Sequence, residues 1–475
     1  MSLRRFPVLA LLACLLGALP AASVAENPPA HSSSALMLSD LHFDPFSDPA
    51  KVAQLDAAPV SDWQRIFAAP DAADRADRFA ALNESCHMHG EDTSYALLHS
   101  TLAAIHQQGG SVRYVTVSGD FLAHNFRCRY SKLLPASRNY AAFTAKTILF
   151  LMDQLRTALP GKPVYAALGN NDSDCEDYQL DVASPFFAAL AESFLADVPQ
   201  TERAAAEASF KETGAYAVTL PAPLEHARLL VVDDLYLSSK YSTCGGKRES
   251  AGSGNLLSWL QGELAEAAKH HENLWVMAHI PPGIDPYSTI FKMRDICSVA
   301  HAELFLSDDK LTDTLTAASS SIRLVVLAHT HLDELRLLHD DRQQHEVAAK
   351  LVPSISPIHG NRPSFVVASV DNRTATLRDY RVIALGSLDD PSAAWKESYR
   401  FDALYHQTNF DAPALHRLMH SFLSEPDGAA SQSYLSHMQA GVATSPLTLF
   451  WSKYACAMTN TTEAGYRACT CPAKK

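Results

Sequence analysis

The segment PVYAALGNNDSD, residues 163–174, joins a short apolar run to a glycine, two asparagines and an aspartate. The run PVYAAL has the length and composition of a buried strand. Gly, Asn and Asp are common in turns, because they adopt the backbone angles that turns require. Seen in isolation, the residues from Gly169 to Asp172 are a turn after a strand. Whether they mean more depends on whether the same arrangement recurs in the chain.

Short apolar runs of this kind alternate with helix-like stretches, a pattern typical of an α/β fold. Residues 95–108, 140–159 and 258–271 are predicted to be helices. Residues 45–75, rich in Ala, Asp and Pro, are predicted to form a surface excursion. The predicted strands cover residues 35–39, 112–118, 163–168, 228–233, 274–278, 322–328, 363–370 and 374–383.

Five of these predicted strands are followed at once by side chains that can bind a metal ion. In α/β sheets the ligand crevice lies at the carboxyl ends of the strands, so these side chains are expected to converge. Two of the positions carry pairs spaced i, i+2, which point the same way from an extended backbone. The seven candidate ligands are Asp40, His42, Asp120, Asn170, His279, His329 and His331.

Four histidines, two aspartates and one amide are too many donors for one tetrahedral zinc ion. The set suits two adjacent divalent ions that share a carboxylate. Two metals roughly 3.5–4 Å apart are the usual clamp for displacement at phosphorus, where they neutralise phosphoryl oxygens and deprotonate a bound water. The donors therefore predict a two-metal phosphoester hydrolase.

The N-terminal sequence and the net charge indicate where the protein is located and which partners it does not attract. Residues 1–25 carry two arginines, an apolar stretch and a small-residue end, which predict a secretory signal peptide. An alternative is a lipoprotein signal that is cleaved at Cys14. No later segment reaches the roughly 18 apolar residues of a membrane-spanning helix. The formal charge is −13, and loss of the two arginines in residues 1–25 would make it −15. Such a chain has no general attraction to nucleic-acid duplexes or anionic membranes.

Nine cysteines are present, and the eight that follow Cys14 predict up to four disulfides in a secreted or periplasmic protein, with their pairing left open. From about Ser392 the sequence becomes helix-like and cysteine-bearing. We therefore expect a catalytic domain over residues 35–390 and a helical, disulfide-bonded subdomain over residues 391–475 that caps it.

In combination, the motifs D-x-H, G-D, G-N, H and H-x-H resemble the calcineurin-like metallophosphoesterases. The stretches SDLHFDPF (39–46), GDFLAHNF (119–126), AHIPPG (278–283) and AHTHLDE (328–334) are similar to the acid sphingomyelinase-like branch. That branch includes sphingomyelinase-like phosphodiesterases and endopolyphosphatases. The resemblance covers about residues 35–385 firmly and the cysteine-bearing tail loosely.

The resemblance implies a four-layer α/β/β/α sandwich, in which helices flank two sheets. It also implies that Asp120 bridges both ions together with the attacking hydroxide, and that both ions are zinc. The remaining ligands would be Asp40, His42 and His331 for one ion, and Asn170, His279 and His329 for the other.

Two further residues are catalytic candidates. His124 matches a family histidine that contacts the phosphoryl group or assists the leaving group. Most relatives have a histidine where this chain has Asn171, and an amide can donate a hydrogen bond but cannot titrate. Because general acid–base catalysis is worth on the order of 10²–10⁴ in rate, Asn171 is expected to favour substrates with good leaving groups.

The sequence thus predicts an exported phosphodiesterase that hydrolyses phosphodiester or phosphoanhydride bonds in small-molecule or polyphosphate substrates. Two alternatives stay open: a phosphomonoesterase, and a metal-binding pseudoenzyme or binding protein, because Asn171 replaces the usual histidine. Asp44 is expected to lie behind the ligands, and Asp172 and Asp174 to be turn acceptors.

Overall fold

The computed structural model describes residues 31–292, 296–297, 301–340, 342, 344–387, 390, 392–438 and 449–471. The predicted signal peptide, residues 1–25, lies outside the described residues. In the part of the chain that is described, helices flank two six-stranded sheets, which confirms the predicted α/β architecture.

The strands follow one another along the described chain in twelve segments. They are β1 (Ser32–Leu38), β2 (Val112–Val117), β3 (Val164–Ala166), β4 (Tyr216–Thr219), β5 (Ala227–Val231), β6 (Asn273–Met277), β7 (Ile322–Leu327), β8 (Glu334–His339), β9 (Glu346–Leu351), β10 (Ser364–Asp371), β11 (Leu377–Leu385) and β12 (Trp395–Arg400).

The α-helices of the described residues lie between the strands and after the last of them. They are α1 (Val52–Ala57), α2 (Trp63–Ala68), α3 (Arg75–Ser85), α4 (Tyr95–Gln108), α5 (Phe126–Leu133), α6 (Tyr140–Ala158), α7 (Pro185–Phe194), α8 (Arg203–Thr213), α9 (Ala251–Lys269), α10 (Pro286–Lys292), α11 (Lys310–Ala317), α12 (Phe401–Tyr405), α13 (Ala412–Ser424), α14 (Ala429–His437), α15 (Trp451–Thr459) and α16 (Glu463–Thr470).

The first sheet has the order β12-β11-β10-β1-β2-β3, and the second has the order β4-β5-β6-β7-β9-β8. In the first sheet β1, β2 and β3 are parallel, and in the second β5, β6, β7 and β9 are parallel. Their residues are buried on both faces, which is why these strands read as continuous apolar runs. Parallel strands end at the same edge of a sheet, so the polar segments that follow them gather there.

Aromatic side chains join the two sheets into one core. The ring of Tyr114 on β2 meets that of Trp275 on β6 edge-on, with centroids 5.8 Å apart. The Trp275 indole donates to the carbonyl of Ala375, and the hydroxyl of Tyr216 lies 2.9 and 3.1 Å from the backbone N and O of Ala166. The sheets therefore face each other, and their carboxyl edges are held at a fixed spacing.

Four strands, β4, β8, β9 and β12, are absent from the sequence prediction. In β8 and β9 the reason is charge: Arg336 and Lys350 are buried there, and the Lys350 ammonium forms a short contact with the buried carboxylate of Asp333. Such ion pairs interrupt the apolar pattern that identifies a strand. Strand β12 lies in the segment predicted to be helical, where it pairs with β11; the helices of that segment begin at Phe401.

Four disulfides join the eight cysteines that follow Cys14, as expected from their number. Two of them involve the C-terminal helices, because one joins α15 to α16 and another ties the end of the chain to the segment after α10. Structural disulfides persist in oxidising compartments, so this is an extracytoplasmic protein. Among the described helices, none has the length and apolar character needed to cross a membrane. The four bridges are Cys86–Cys128, Cys175–Cys244, Cys297–Cys471 and Cys456–Cys469.

The prediction of a surface excursion for residues 45–75 is wrong for much of that segment. Trp63 is fully buried, and its ring lies 5.4 and 5.7 Å from those of Phe143 and Phe150 on α6. Its indole N–H donates to the carbonyl of Leu55 at 3.0 Å. A few large side chains placed among Ala, Asp and Pro are enough to attach the segment to the core.

Replacing Trp63 by alanine should destabilise the protein by about 3–5 kcal/mol, because it removes the largest side chain of a closed aromatic cluster. Urea unfolding monitored by circular dichroism measures this change. Arg65→Ala on the same helix is the control, since its side chain is mostly exposed, and it should change stability by less than about 0.5 kcal/mol. Equal effects of the two substitutions would show that α2 is not part of the core.

Candidate metal centre

The seven candidate ligands come from both sheets. Asp40 and His42 follow β1, Asp120 follows β2 and Asn170 follows β3. The second sheet supplies the other three, because His279 follows β6 while His329 and His331 follow β7. All seven side chains converge where the carboxyl edges of the two sheets meet. Their assignment as metal ligands stays a prediction, which the geometry below supports.

Asp120 lies at the middle of the cluster. Its Oδ2 is 3.3 Å from Nε2 of His42 and 3.2 Å from Nε2 of His279. The donor atoms of Asp40, His42 and Asp120 lie within 4.8 Å of one another, and so do those of Asp120, His279 and His329. Asp120 therefore belongs to two groups of donors at once, as a bridging carboxylate would.

The other two candidates complete these groups. Nε2 of His331 lies 3.0 Å from Nε2 of His42 and 3.6 Å from Oδ1 of Asp40, beside the first group. Oδ1 of Asn170 lies 3.2 Å from Nε2 of His279, beside the second group. The arrangement corresponds to three donors on either side of one shared carboxylate.

Hydrogen bonds outside the cluster orient its donors. The carbonyl of Leu122 accepts from Nδ1 of His42 at 2.8 Å, and the carbonyl of Ser118 accepts from Nδ1 of His279 at 2.7 Å. A carbonyl only accepts, so each ring carries a proton on Nδ1 and turns Nε2 towards the centre, where it can bind a metal ion once its own proton is lost. The Asn170 amide donates in the same way to Asp177 at 2.7 Å, which leaves its oxygen for the centre.

Buried polar atoms at the centre test whether metal ions fit these residues. Both carboxylate oxygens of Asp40 are buried, and neither has a hydrogen-bond partner among the described residues. An isolated buried carboxylate is costly unless a cation compensates it. The pair of Nε2 atoms on His42 and His331, only 3.0 Å apart, likewise needs a proton or a cation between them. Imidazole, carboxylate and amide donors suit divalent transition ions, so the residues fit two such ions.

The charges of the cluster shift its titration strongly. Burial by itself would lower the pKa of His42 and His279, but the Asp120 carboxylate outweighs it and raises these pKa values to about 9 and about 10. Burial would raise the pKa of Asp120, yet the same two histidines hold it well below its usual range. Burial, with the charge of a neighbouring histidine, lowers the pKa of both His329 and His331. Protons therefore compete with divalent ions for this centre.

The prediction that each i, i+2 pair points the same way from an extended backbone is wrong. Asp40 and His42 have φ angles of 45° and 38°, and His329 and His331 have 74° and 61°, so none of the four is extended. Asp120, at 55°, is also left-handed. Left-handed backbone costs a non-glycine residue energy and persists only where surrounding contacts enforce it, typically at functional sites.

Gly119 and Gly169 allow the loops after β2 and β3 to touch. A Cβ on Gly119 would lie 2.7 Å from the backbone N of Gly169, and one on Gly169 would lie 2.2 Å from Oδ1 of Asp120. Asp172 then fastens these loops, since its carboxylate accepts from the backbone N–H groups of Phe121, Leu122 and Gly169 at 2.8–3.0 Å. This contact confirms that Asp172 is a turn acceptor.

Asn171 contacts the shared carboxylate directly. Its backbone N–H and its side-chain amide donate to the two oxygens of Asp120, each at 2.9 Å. The amide therefore orients Asp120, a contact that the sequence analysis did not anticipate. Its effect on the leaving group stays a prediction.

His124 lies beside the first group and is held by a residue that the sequence analysis missed. Its ring stacks on that of His42 with centroids 4.1 Å apart. Nδ1 is 3.0 Å from Asp92, whose other oxygen accepts from the His124 backbone N–H at 2.8 Å. Burial would raise the pKa of Asp92, but His124 and Arg129 keep it well below its usual range. No sequence pattern marks Asp92, which is in a loop before α4.

Other side chains that the sequence analysis missed border the two ends of the centre. The ring of His359 lies 4.6 Å from that of His331, and burial lowers its pKa to about 4. At the other end, Tyr178 Oη lies 3.3 Å from Nε2 of His329, and the Phe305 ring is 5.5 Å from the same imidazole.

The remaining polar candidates are apart from the donors. Asp44 accepts from buried Arg129 at 2.7 Å and from the Phe46 backbone, so it supports the loop behind the ligands, as expected.

Comparisons with known proteins show which proteins this chain is similar to. The family model for calcineurin-like phosphoesterases matches residues 35–333. Human acid sphingomyelinase-like phosphodiesterase 3b is 23% identical to this chain over 342 residues, which cover 69% of each of the two chains. Human cyclic GMP-AMP phosphodiesterase SMPDL3A is 22% identical over 435 residues, which cover 87% of this chain and 86% of the relative. A solved dimetal phosphatase from Danio rerio aligns with 74% of this chain and 95% of its own, at 12% identity and a TM-score of 0.39.

Gly169→Ala should reduce the metal content of the purified protein to less than half, because the added methyl group would displace the carboxylate of Asp120. Mass spectrometry of metals on gel-filtered protein measures the content. Gly262→Ala is the control, since a Cβ there meets nothing within 4 Å, and it should keep the wild-type content. Full metal content in both variants would contradict the close approach of Gly169 to Asp120.

Proposed function

The chain belongs to the calcineurin-like phosphoesterase family, and on that premise we propose that it is a two-metal phosphodiesterase hydrolysing phosphodiester or phosphoanhydride bonds. The observation that carries this proposal is the position of Asp120, a buried carboxylate shared by two groups of nitrogen and oxygen donors. When bound, two divalent ions would neutralise the phosphoryl oxygens and lower the pKa of a bound water.

The ligand sets proposed for the two ions follow the two groups. Zinc is the proposed metal, because imidazole and carboxylate donors suit it and four of the seven donors are histidines. One set is Asp40, His42 and His331, the other is Asn170, His279 and His329, and Asp120 is common to both.

His124 is the proposed proton donor to the leaving group. Asp92 accepts from its Nδ1, so in the imidazolium form of the ring the proton on Nε2 is the one that can be transferred. Its ring is partly exposed and stacked on His42, so a substrate at the centre can reach it. Asn171 would supply a hydrogen-bond donor but no proton, which favours anhydrides and aryl esters as substrates.

The donor set supports an enzyme rather than a pseudoenzyme, and the disulfides support an exported protein rather than a cytoplasmic protein. All seven donor positions carry side chains able to bind a metal ion, whereas a decayed site would have lost some of them. The four disulfides require an oxidising compartment. Residues 1–25 are proposed as the signal that directs export.

Metal-analysed protein should hydrolyse a nitrophenyl phosphodiester or a nucleoside triphosphate faster than a nitrophenyl monoester. His329→Ala should lower both the rate and the metal content, the rate by at least about 100-fold, because one ion loses a ligand. His270→Ala, a mostly exposed histidine that precedes β6, is the matched control and should behave as wild type. A metal-loaded protein that hydrolyses none of these substrates would contradict the proposal.

His124→Gln should lower kcat about 10²–10⁴-fold for an alkyl phosphodiester, whose leaving group needs a proton. For a nitrophenyl diester the loss should be less than about tenfold, since that leaving group departs as an anion. Asp92→Asn should also lower kcat for both substrates, by a smaller factor than His124→Gln does. Steady-state kinetics on the paired esters decides the matter, and equal losses on both would mean that His124 binds substrate without donating a proton.

A further inference from the structure

A lysine ammonium lies at the border of the centre. Lys240 is exposed, and its ammonium lies 4.8 Å above the ring of Tyr178 and 3.5 Å from its hydroxyl. Within the described residues no carboxylate forms an ion pair with it. By contrast, the buried cations Arg129 and Lys350 are neutralised by Asp44 and Asp333.

Tyr178 links this ammonium to the second group of ligands. The Tyr178 hydroxyl lies 3.3 Å from Nε2 of His329, and the two rings meet edge-on. The nearby carboxylate of Asp177 accepts a hydrogen bond from the Asn170 amide at 2.7 Å.

The backbone around Lys240 is held on both sides. The Ser239 N–H donates to the carbonyl of Phe305 at 3.0 Å, and its hydroxyl donates to Leu304. The Ser242 N–H donates to the carbonyl of Tyr178 at 3.0 Å. The disulfide Cys175–Cys244 then closes the loop that carries Tyr178 onto the loop that carries Lys240. The backbone that carries this cation is therefore fixed, and only the lysine side chain loses freedom when it binds an anion.

The charges indicate what such a cation could bind. The two divalent ions proposed here would be opposed by two ligand carboxylates, Asp40 and Asp120, which leaves about enough positive charge for one phosphoryl group. Lys240 adds a further positive charge beside His329, in a chain whose formal charge is −13. It would attract a second anionic group and repel a quaternary ammonium such as choline.

We propose that Lys240 binds a second anionic group of the substrate, so that the preferred substrates carry at least two negatively charged groups. Nucleoside polyphosphates and phosphoanhydride chains have this chemistry, whereas a phosphocholine ester does not. This inference rests on the proposed phosphodiesterase function and specifies the substrate class of the same centre.

The test compares Lys240→Met with Lys240→Arg, which keeps the charge, and with Lys247→Met, which removes an exposed lysine of the same loop. The substrates are a nucleoside triphosphate and bis(4-nitrophenyl) phosphate, which carries a single negative charge. Lys240→Met should raise KM for the triphosphate roughly 10- to 100-fold, as expected for a lost hydrogen bond to a charged group. This increase in KM should be at least tenfold larger than the increase that Lys240→Met causes for the nitrophenyl diester. Lys240→Arg should keep KM for the triphosphate close to the wild-type value.

Calorimetry on the metal-loaded proteins gives a readout that does not depend on turnover. Wild type should bind inorganic tripolyphosphate more tightly than orthophosphate, and Lys240→Met should reduce that difference while Lys247→Met keeps it. Equal effects of Lys240→Met on both substrates and both anions would overturn the inference and leave the phosphodiesterase proposal intact. If wild type hydrolyses neither substrate, the proposed function itself fails, and the calorimetry still tests whether Lys240 binds the second anion.

Discussion

The carboxylate of Asp120, buried between the ends of two sheets, is the constraint on which the centre depends. His42 and His279 approach one of its oxygens from opposite sheets, and Asn171 donates to both of its oxygens. A buried charge is tolerated only when it is compensated in this way. The loops therefore have little freedom: Gly169 has to be a glycine, because any side chain there would strike this carboxylate.

The rest of the fold keeps the two sheet edges in register around that charge. The contact of Tyr114 with Trp275 sets the distance between the sheets, and four disulfides attach the peripheral loops and the C-terminal helices. The surrounding packing also supports the left-handed backbone at Asp40, His42 and three other ligands, which isolated loops would not adopt. Stability and metal binding are thus coupled through the same loops.

The two ends of the centre differ in chemistry. At the first group, Asp92 and His124 form a pair suited to holding and moving a proton. At the second group, Tyr178 and Lys240 present a hydroxyl and a positive charge that suit an anion. A substrate that spans the centre would therefore meet the proposed proton donor at one end and the proposed anion site at the other.

Apolar strands followed by Asp, Asn or His are local in the chain, so the sequence by itself determined the α/β class and the position of seven candidate donors directly after its strands. Buried ion pairs hid β8 and β9, because their charges break the apolar pattern. Only the tertiary structure decided that Asp92 supports His124, 32 residues away, and that Lys240 lies on Tyr178, 62 residues away. Such contacts join loops that have no periodicity of their own, and loops meet only where the packing of the sheets brings them together.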